Sequence, residues 1–263
     1  MKMNRDHLRR PFDSDEDTEL SDQQKRLPQP PLVKEPMSDV QISLPVDFEN
    51  LKQRDLLEVI RNRKSNRVYT QENISLLQLS YLLWATQGIR AIRGKSYATL
   101  RTVPSGGARH GFETYLCVNY VEGLQPGKYH YLPMGHKLEY LGPLSEGENI
   151  KDSLCGQLWG EKASVVFYWS FVPYRCEWRY SNNAYRPALI DMGHVGENLY
   201  LACSNLQLGT CGIAAFDIEV CNKMFKLDGV DEFMLYTQPV GTIKEEDKAA
   251  EDSFYAFVKE EGL

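Results

Sequence analysis

Arg101-Thr102-Val103-Pro104-Ser105-Gly106-Gly107-Ala108-Arg109-His110 is the stretch around which the chain is organised. It lies between a helical pattern and a strand. Pro104 fixes φ and removes a backbone donor. Gly106 and Gly107 open backbone angles closed to other residues and permit a close approach by another surface. Ser105 adds a hydroxyl, and Arg101, Arg109 and His110 add donors on both sides. Such a loop can lay bare amides against a flat polar ligand or a phosphate. The plainer reading is a tight turn before a strand.

Working outward, Leu76, Leu79, Leu82, Leu83 and Ala85 share one face of a helix that Ser75 can cap. Gly88 then offers a left-handed C-terminal cap. Leu51–Ile60 suits a short amphipathic helix that runs into Arg63, Ser65 and Arg67. These three alternate, so in an extended segment they share one side. Three donors on one edge suit a phosphate or carboxylate, and arginine's planar fork binds either one bidentately. The alternative is a solvated basic helix end. Residues 1–45 mix charges and prolines, which predicts an extended polar arm ahead of a domain at 46–263. If ordered, the arm is expected to lie on another surface, such as a partner subunit.

On the other side, Glu113–Val121 and Lys128–Leu132 read as hairpin-like strands, and residues 145–159 as helix. Ala163–Phe171 is the strongest buried-strand pattern. An aromatic and basic segment follows, holding Tyr174, Arg175, Trp178, Arg179, Tyr180, Tyr185 and Arg186. Ala188–Leu206 reads as a long, central buried helix. A helix near Ile218–Phe225 and a strand at Glu232–Val240 close the pattern. Strands and helices interleave irregularly, so the fold class is α+β. Within this frame, Gly209-x-x-Gly212 suits a helix cap plus a turn, and it is not a dinucleotide fingerprint. His194 reads as a hydrogen-bonded core histidine sooner than a catalyst. Tyr180 beside Arg179 could donate a proton if the arginine lowers its pKa.

Composition narrows the function. A net charge of −6 disfavours nucleic acid and membrane surfaces as partners. No apolar run has transmembrane length, and the first residues show no signal-peptide pattern. Six cysteines without a Cys-x-x-Cys pair read as reduced thiols in a cytoplasm. The five histidines lack zinc-like spacing, so no structural metal is expected.

Several pieces then fall in one familiar order: Arg63-Lys64-Ser65-Asn66-Arg67, Leu82–Gly88, the Pro-Ser-Gly-Gly loop, Glu122–Tyr129, Ala184-Tyr185-Arg186, Gly193–Ala202 and Leu208-Gly209-Thr210. Together they resemble the nitroreductase superfamily over roughly residues 50–245, and more narrowly its SagB-type dehydrogenase branch. The resemblance implies a three-layer α+β fold and an intertwined homodimer with FMN between subunits. By position, Arg63 and Ser65 would hold the FMN phosphate and ribityl end, with Arg67 near the pyrimidine edge. Pro104, Ser105, Gly106 and Gly107 would pack on the ring or its tail from the other subunit. Ile213, Ala214 and Ala215 would pass the N5 edge with a backbone amide, while Gly209 and Gly212 bring main chain close.

The resemblance therefore implies hydride transfer through flavin N5, with NAD(P)H as a possible donor and Tyr180 and Arg179 as the nearest acid–base groups. Two rivals stand beside it: an azoline dehydrogenase acting on peptides, and a flavin-binding partner protein without turnover. SagB-type azoline oxidases carry Lys-Tyr where this chain has Arg179-Tyr180, and arginine is a far poorer proton acceptor. Lys244 and Lys248 are candidates for the family's C-terminal phosphate clamp.

Overall fold

The computed structural model describes residues 20–244, together with Ala256 and Glu260. The first 19 residues of the expected arm, and Lys248, lie outside the described residues.

The sheet grows outward from the Ala163–Phe171 pattern. Strand β7 (Val165–Phe171) is buried at every position. Val165, Phe167, Trp169 and Phe171 enter one core, while Val166 and Tyr168 enter a second core on the opposite face. Burial on both faces is why the run reads as continuously apolar rather than alternating. β7 pairs antiparallel with β4 (Phe112–Val118) and with β9 (Phe233–Thr242). Four more strands complete the sheet: β1 (Gln41–Ser43), β5 (Gly127–Leu132), β6 (Lys137–Gly142) and β8 (Leu208–Thr210). The order is β1-β6-β5-β4-β7-β9-β8, antiparallel throughout. β2 (Ile89–Arg93) and β3 (Ala98–Arg101) form a separate hairpin just before the Pro-Ser-Gly-Gly loop.

Helices cover both faces, giving three layers. On one side lie α2 (Leu76–Gln87) and α6 (Tyr185–Leu206). On the other are α7 (Ile218–Phe225) and two short turns, α3 (Ile150–Ser153) and α4 (Leu158–Glu161). Helix α2 starts on a reciprocal capping box: Gln78 N donates to Ser75 Oγ at 3.1 Å, and Ser75 N to Gln78 Oε1 at 2.8 Å. Gly88 ends it with φ −58°, so it is not the expected left-handed cap. Its lack of a side chain matters for packing, because a Cβ there would lie 2.5 Å from the Trp84 ring.

Three helix expectations need correction. α1 spans Leu56–Asn62, and its Leu56, Leu57 and Ile60 face outward, with only Val59 buried. Residues 145–159 hold α3 and the start of α4 rather than one helix. α6 begins at Tyr185 and is central but half-exposed: Leu189 and Ile190 lie on its open side, and His194 is exposed rather than a core histidine. The aromatic, basic segment supplies a further helix, α5 (Pro173–Tyr180).

The described part of the arm lies on its own chain. The β4–β5–β6 face opposite α2 carries charge, with Glu113, His130 and Glu139 all buried there. His130 bridges Glu139 at 2.7 Å and Glu113 at 3.1 Å, and Arg175 meets Glu113 at 2.5 Å. Met37 and Ser38 amides donate to Glu139 at 2.7 Å, and Lys34 N to Glu113 at 3.0 Å. Lys34 Nζ also pairs with Glu232 at 2.5 Å. Buried carboxylates need such donors, and here the arm provides the layer that a helix supplies elsewhere.

Candidate functional site

The first cluster forms where α1 ends. Arg63 N donates to Val59 O, closing the helix, and residues 64–68 continue outside any helix or strand. Asn66 N then donates to Thr210 O at 2.9 Å, tying this segment to β8. The approach is close because residue 209 has no side chain: a Cβ on Gly209 would lie 2.4 Å from Ile243 Cγ2 and 2.9 Å from Asn66 Cβ. Gly209 is thus a contact point and not a helix cap, the cap of α6 being Gln207 at φ 58°.

Tyr200, on α6, joins the pieces. Its hydroxyl lies 3.1 Å from Ser65 Oγ and accepts from Gly212 N at 2.7 Å. The Arg63 guanidinium sits 5.3 Å from the Tyr200 ring centre. Burial raises the Tyr200 pKa above its ordinary value, so the phenol stays protonated. Next to these groups opens a cavity of about 480 Å³, lined by Arg54, Arg61, Arg63 and Lys64 without any carboxylate. Arg54 is engaged by Glu58, whereas Arg61, Arg63 and Lys64 have no ion pair among the described residues. A cavity with that charge suits a phosphate or another dianion.

From Gly212 the chain passes along β9. Ile213 N donates to Thr237 O at 2.8 Å. Ala214 and Ala215 are exposed, and among the described residues neither amide has an acceptor. Gly212 is small for a reason: a Cβ would fall 1.8 Å from the Tyr236 hydroxyl. Arg67 stacks over Trp159, 5.8 Å from its ring centre, and Lys244 pairs with Glu72 at 2.9 Å.

The second cluster is the Pro-Ser-Gly-Gly loop. Gly107, Ala108 and His110 all have positive φ, 57°, 53° and 48°. Left-handed backbone at Ala and His is unfavourable unless held, and it is held. Gly106 N donates to both Asp191 oxygens at 3.1 Å, His110 N to Ser105 Oγ at 2.9 Å, and Arg109 Nε to the Gly107 carbonyl at 3.0 Å. Pro104 is exposed on the outer side. Tyr180 OH and Arg179 approach Gly107 so closely that a Cβ there would lie 2.7 Å from each.

The donors flanking the loop turn inward, contrary to expectation. Arg101 is buried against Gln87 Oε1 at 2.8 Å and the Leu32 carbonyl at 3.2 Å. Burial lowers its pKa to about 10, which leaves it charged at neutral pH. His110 is buried too; burial first, then Arg101, hold it neutral with a pKa near 3. Arg109 is buried between the Tyr97 and Trp178 rings, 5.1 and 5.4 Å from their centres. These residues shape the loop from below.

Within one chain the two clusters stay apart. One holds Arg63, Ser65, Gly209, Gly212, Ile213, Ala214 and Ala215; the other holds Pro104, Ser105, Gly106, Gly107, Arg179 and Tyr180. Asp191 and Tyr200 anchor them to opposite parts of α6, nine residues apart, about 13 Å along the axis and half a turn around it. Sequence reading missed both anchors. Their only trace was a polar residue interrupting an apolar helical pattern.

The Nitroreductase family profile matches residues 60–242. A nitroreductase homologue from Methanocaldococcus jannaschii is 30% identical over 202 residues, covering 77% of this chain and 96% of that protein. The chain belongs to the nitroreductase family. A trifolitoxin-processing protein of Rhizobium leguminosarum bv. trifolii is 32% identical over 114 residues, 41% of this chain and 30% of that protein. Among solved structures, a nitroreductase homologue from Ralstonia eutropha superposes with a TM-score of 0.65 at 24% identity, covering 83% of this chain and 95% of its own. A chain of the E. coli microcin synthetase McbBCD complex gives 0.60 at 21%, covering 78% and 75%. These two structures share the fold.

Proposed function

We propose that the protein is an FMN-dependent oxidoreductase that passes hydride through flavin N5, works as a homodimer and draws electrons from NAD(P)H. The carrying observation is the cation-lined cavity beside Ser65 and Tyr200, together with the Ala214 and Ala215 amides, which have no acceptor among the described residues. This donor set fits FMN. Arg63 and Lys64 match the charge of its phosphate, and Ser65 offers a hydroxyl to the ribityl end. An amide at Ala214 or Ala215 can donate to the N5 edge, a role that needs no particular side chain.

Bound flavin would supply two-electron redox chemistry, and the protein supplies placement and electrostatics. Arg67 would favour negative charge at the pyrimidine edge. Tyr200 holds Ser65 and Gly212 at a fixed separation. The Pro-Ser-Gly-Gly loop of a second copy would close over the ring, which accounts for a strained loop held rigid yet far from its own chain's cavity.

Purified protein should therefore be yellow, or take up FMN stoichiometrically. Arg63→Ala combined with Arg67→Ala should release it. Unchanged flavin retention and reduction in that double variant would place the site elsewhere. Stopped-flow mixing with NADH and NADPH tests turnover, since a non-catalytic flavin carrier would show no rapid bleaching with either.

The likeness to a trifolitoxin-processing protein supports a second reading, a SagB-type dehydrogenase of peptide azolines. Arg179 in place of lysine argues against a lysine base in that chemistry. A two-dalton mass loss from an azoline peptide would favour it.

A further inference from the structure

Tyr97 lies in the turn between β2 and β3, beside the Pro-Ser-Gly-Gly loop, and is 39% exposed. Its hydroxyl accepts two hydrogen bonds, from Arg179 Nη1 and from Gln23 Nε2, both at 3.0 Å. The Arg109 guanidinium lies 5.1 Å from its ring centre and donates through Nη2 to the Tyr97 carbonyl at 3.1 Å. An oxygen that accepts twice has its own proton directed away from both donors. The same Arg179 side chain that reaches this oxygen also packs on Gly107. One guanidinium thus spans the phenol and the loop proposed to cover the flavin.

We propose that Tyr97, rather than Tyr180, is the acid–base residue on the substrate side of this site. The inference rests on the proposed FMN reading. In the reductive direction, bound flavin would supply hydride to one atom of a polarised double bond on the acceptor. The Tyr97 O–H gives its proton to the other atom, so the acceptor gains two electrons and two hydrogens. The phenolate left behind is stabilised by Arg179 and Arg109 and takes a proton back from water. The charged side chains facing this phenol are those two arginines, Arg109 from the loop and Arg179 from α5. Burial works to raise the Tyr97 pKa, but the Gln23 hydrogen bond and both arginines outweigh it and the pKa is lowered. A general acid works best when its pKa moves toward the working pH.

The test needs no turnover in its first arm. Alkaline titration, followed by tyrosinate absorbance, should show one phenol ionising ahead of the others. Tyr97→Phe should remove that early phase, Arg179→Gln should delay it, and Tyr174→Phe, a surface control, should leave it in place. An early phase that survives Tyr97→Phe, or no early phase at all, overturns the proposal. In the second arm, reduced FMN-loaded protein is mixed with 4-nitrobenzoate. Tyr97→Phe should slow reoxidation by about 100-fold and remove its alkaline pH limb. Reoxidation at the wild-type rate overturns the role of Tyr97 while leaving FMN binding standing. Failure of the wild-type protein to bind FMN would instead defeat the reading beneath it.

Discussion

Tyr200 is one hydroxyl joining two segments far apart in sequence, and its loss should be felt in both. Tyr200→Phe keeps the ring under Arg63 but leaves Gly212 N without its acceptor and Ser65 without its neighbour. An unsatisfied donor costs about 1–3 kcal/mol, so FMN affinity should fall by roughly one to two orders of magnitude, measured by fluorescence titration. Gly209→Ala should act through crowding: the new methyl meets Ile243 and Asn66, costing about 1–3 kcal/mol of stability, read as a lower midpoint in denaturant. At this scale, sequence legibility depended on direction. Arg63 and Ser65 read as one donor edge because alternation in a short segment fixes a side, and the structure sets Arg63 and Ser65 against the same Tyr200. Arg101, Arg109 and His110 read as donors beside the loop because residue type shows donors but not where they point, and all three turn into the core.

Among the elements, β4, β5 and β6 hold a buried charge cluster whose pH response can be worked out. Burial would raise the Glu113 pKa, but Arg175, His130 and Arg101 lower it well below the usual range. Glu139 is lowered too, chiefly by His130 acting against burial. Their contribution to stability is present above an unfolded carboxylate pKa of about 4.3 and is lost as pH falls. His130 runs the other way: the carboxylates on both sides overcome burial and raise its pKa. Its contribution is full below an unfolded pKa of about 6.5 and is lost as pH rises through the folded value. His136 is held neutral by burial, with a pKa near 4. The unfolded chain therefore binds its proton first, and stability should decline between about pH 6.5 and 4 by up to roughly 1.4 kcal/mol per pH unit for this group. Equilibrium unfolding across that range checks the slope, and His136→Gln should flatten it. Glu113→Gln leaves Arg175 buried without its counter-charge and His130 with Glu139 alone, so a loss of about 3–5 kcal/mol is expected at neutral pH, by the same measurement.

Element recognition followed burial. β7 and α7 are strongly apolar or amphipathic and were legible. β2 is Ile-Arg-Ala-Ile-Arg, exposed along most of its length, and β1 lies inside a polar arm. β2 buries no face, and β1 is three residues long with Ile42 alone turned toward the core, too short for its alternation to stand out.

For the whole molecule, the exposed Leu56, Leu57 and Ile60 of α1 are apolar side chains in search of a cover, and Leu189 and Ile190 near the start of α6 are a second, separate pair. With a homodimer as the expected state, light scattering should report twice the monomer mass. Leu56→Asp with Ile60→Asp should shift it toward monomer and release flavin together. The α+β class was legible because interleaved strand and helix patterns are a whole-chain property. The separation of the two clusters was not, since no local pattern records which end of a helix a distant loop will meet.

In the proposed homodimer, that division along α6 would build each centre from the cavity of one subunit and the loop of the other. On that proposal Arg63→Ala would damage a subunit's own cavity, whereas Tyr97→Phe would damage what the subunit lends to its neighbour. Each variant dimer should turn over at a small fraction of the native rate by itself. Unfolded together and refolded as a mixture, they should regain roughly a quarter of native turnover, because half of the pairs then contain one undamaged centre assembled from the sound portions of two faulty chains.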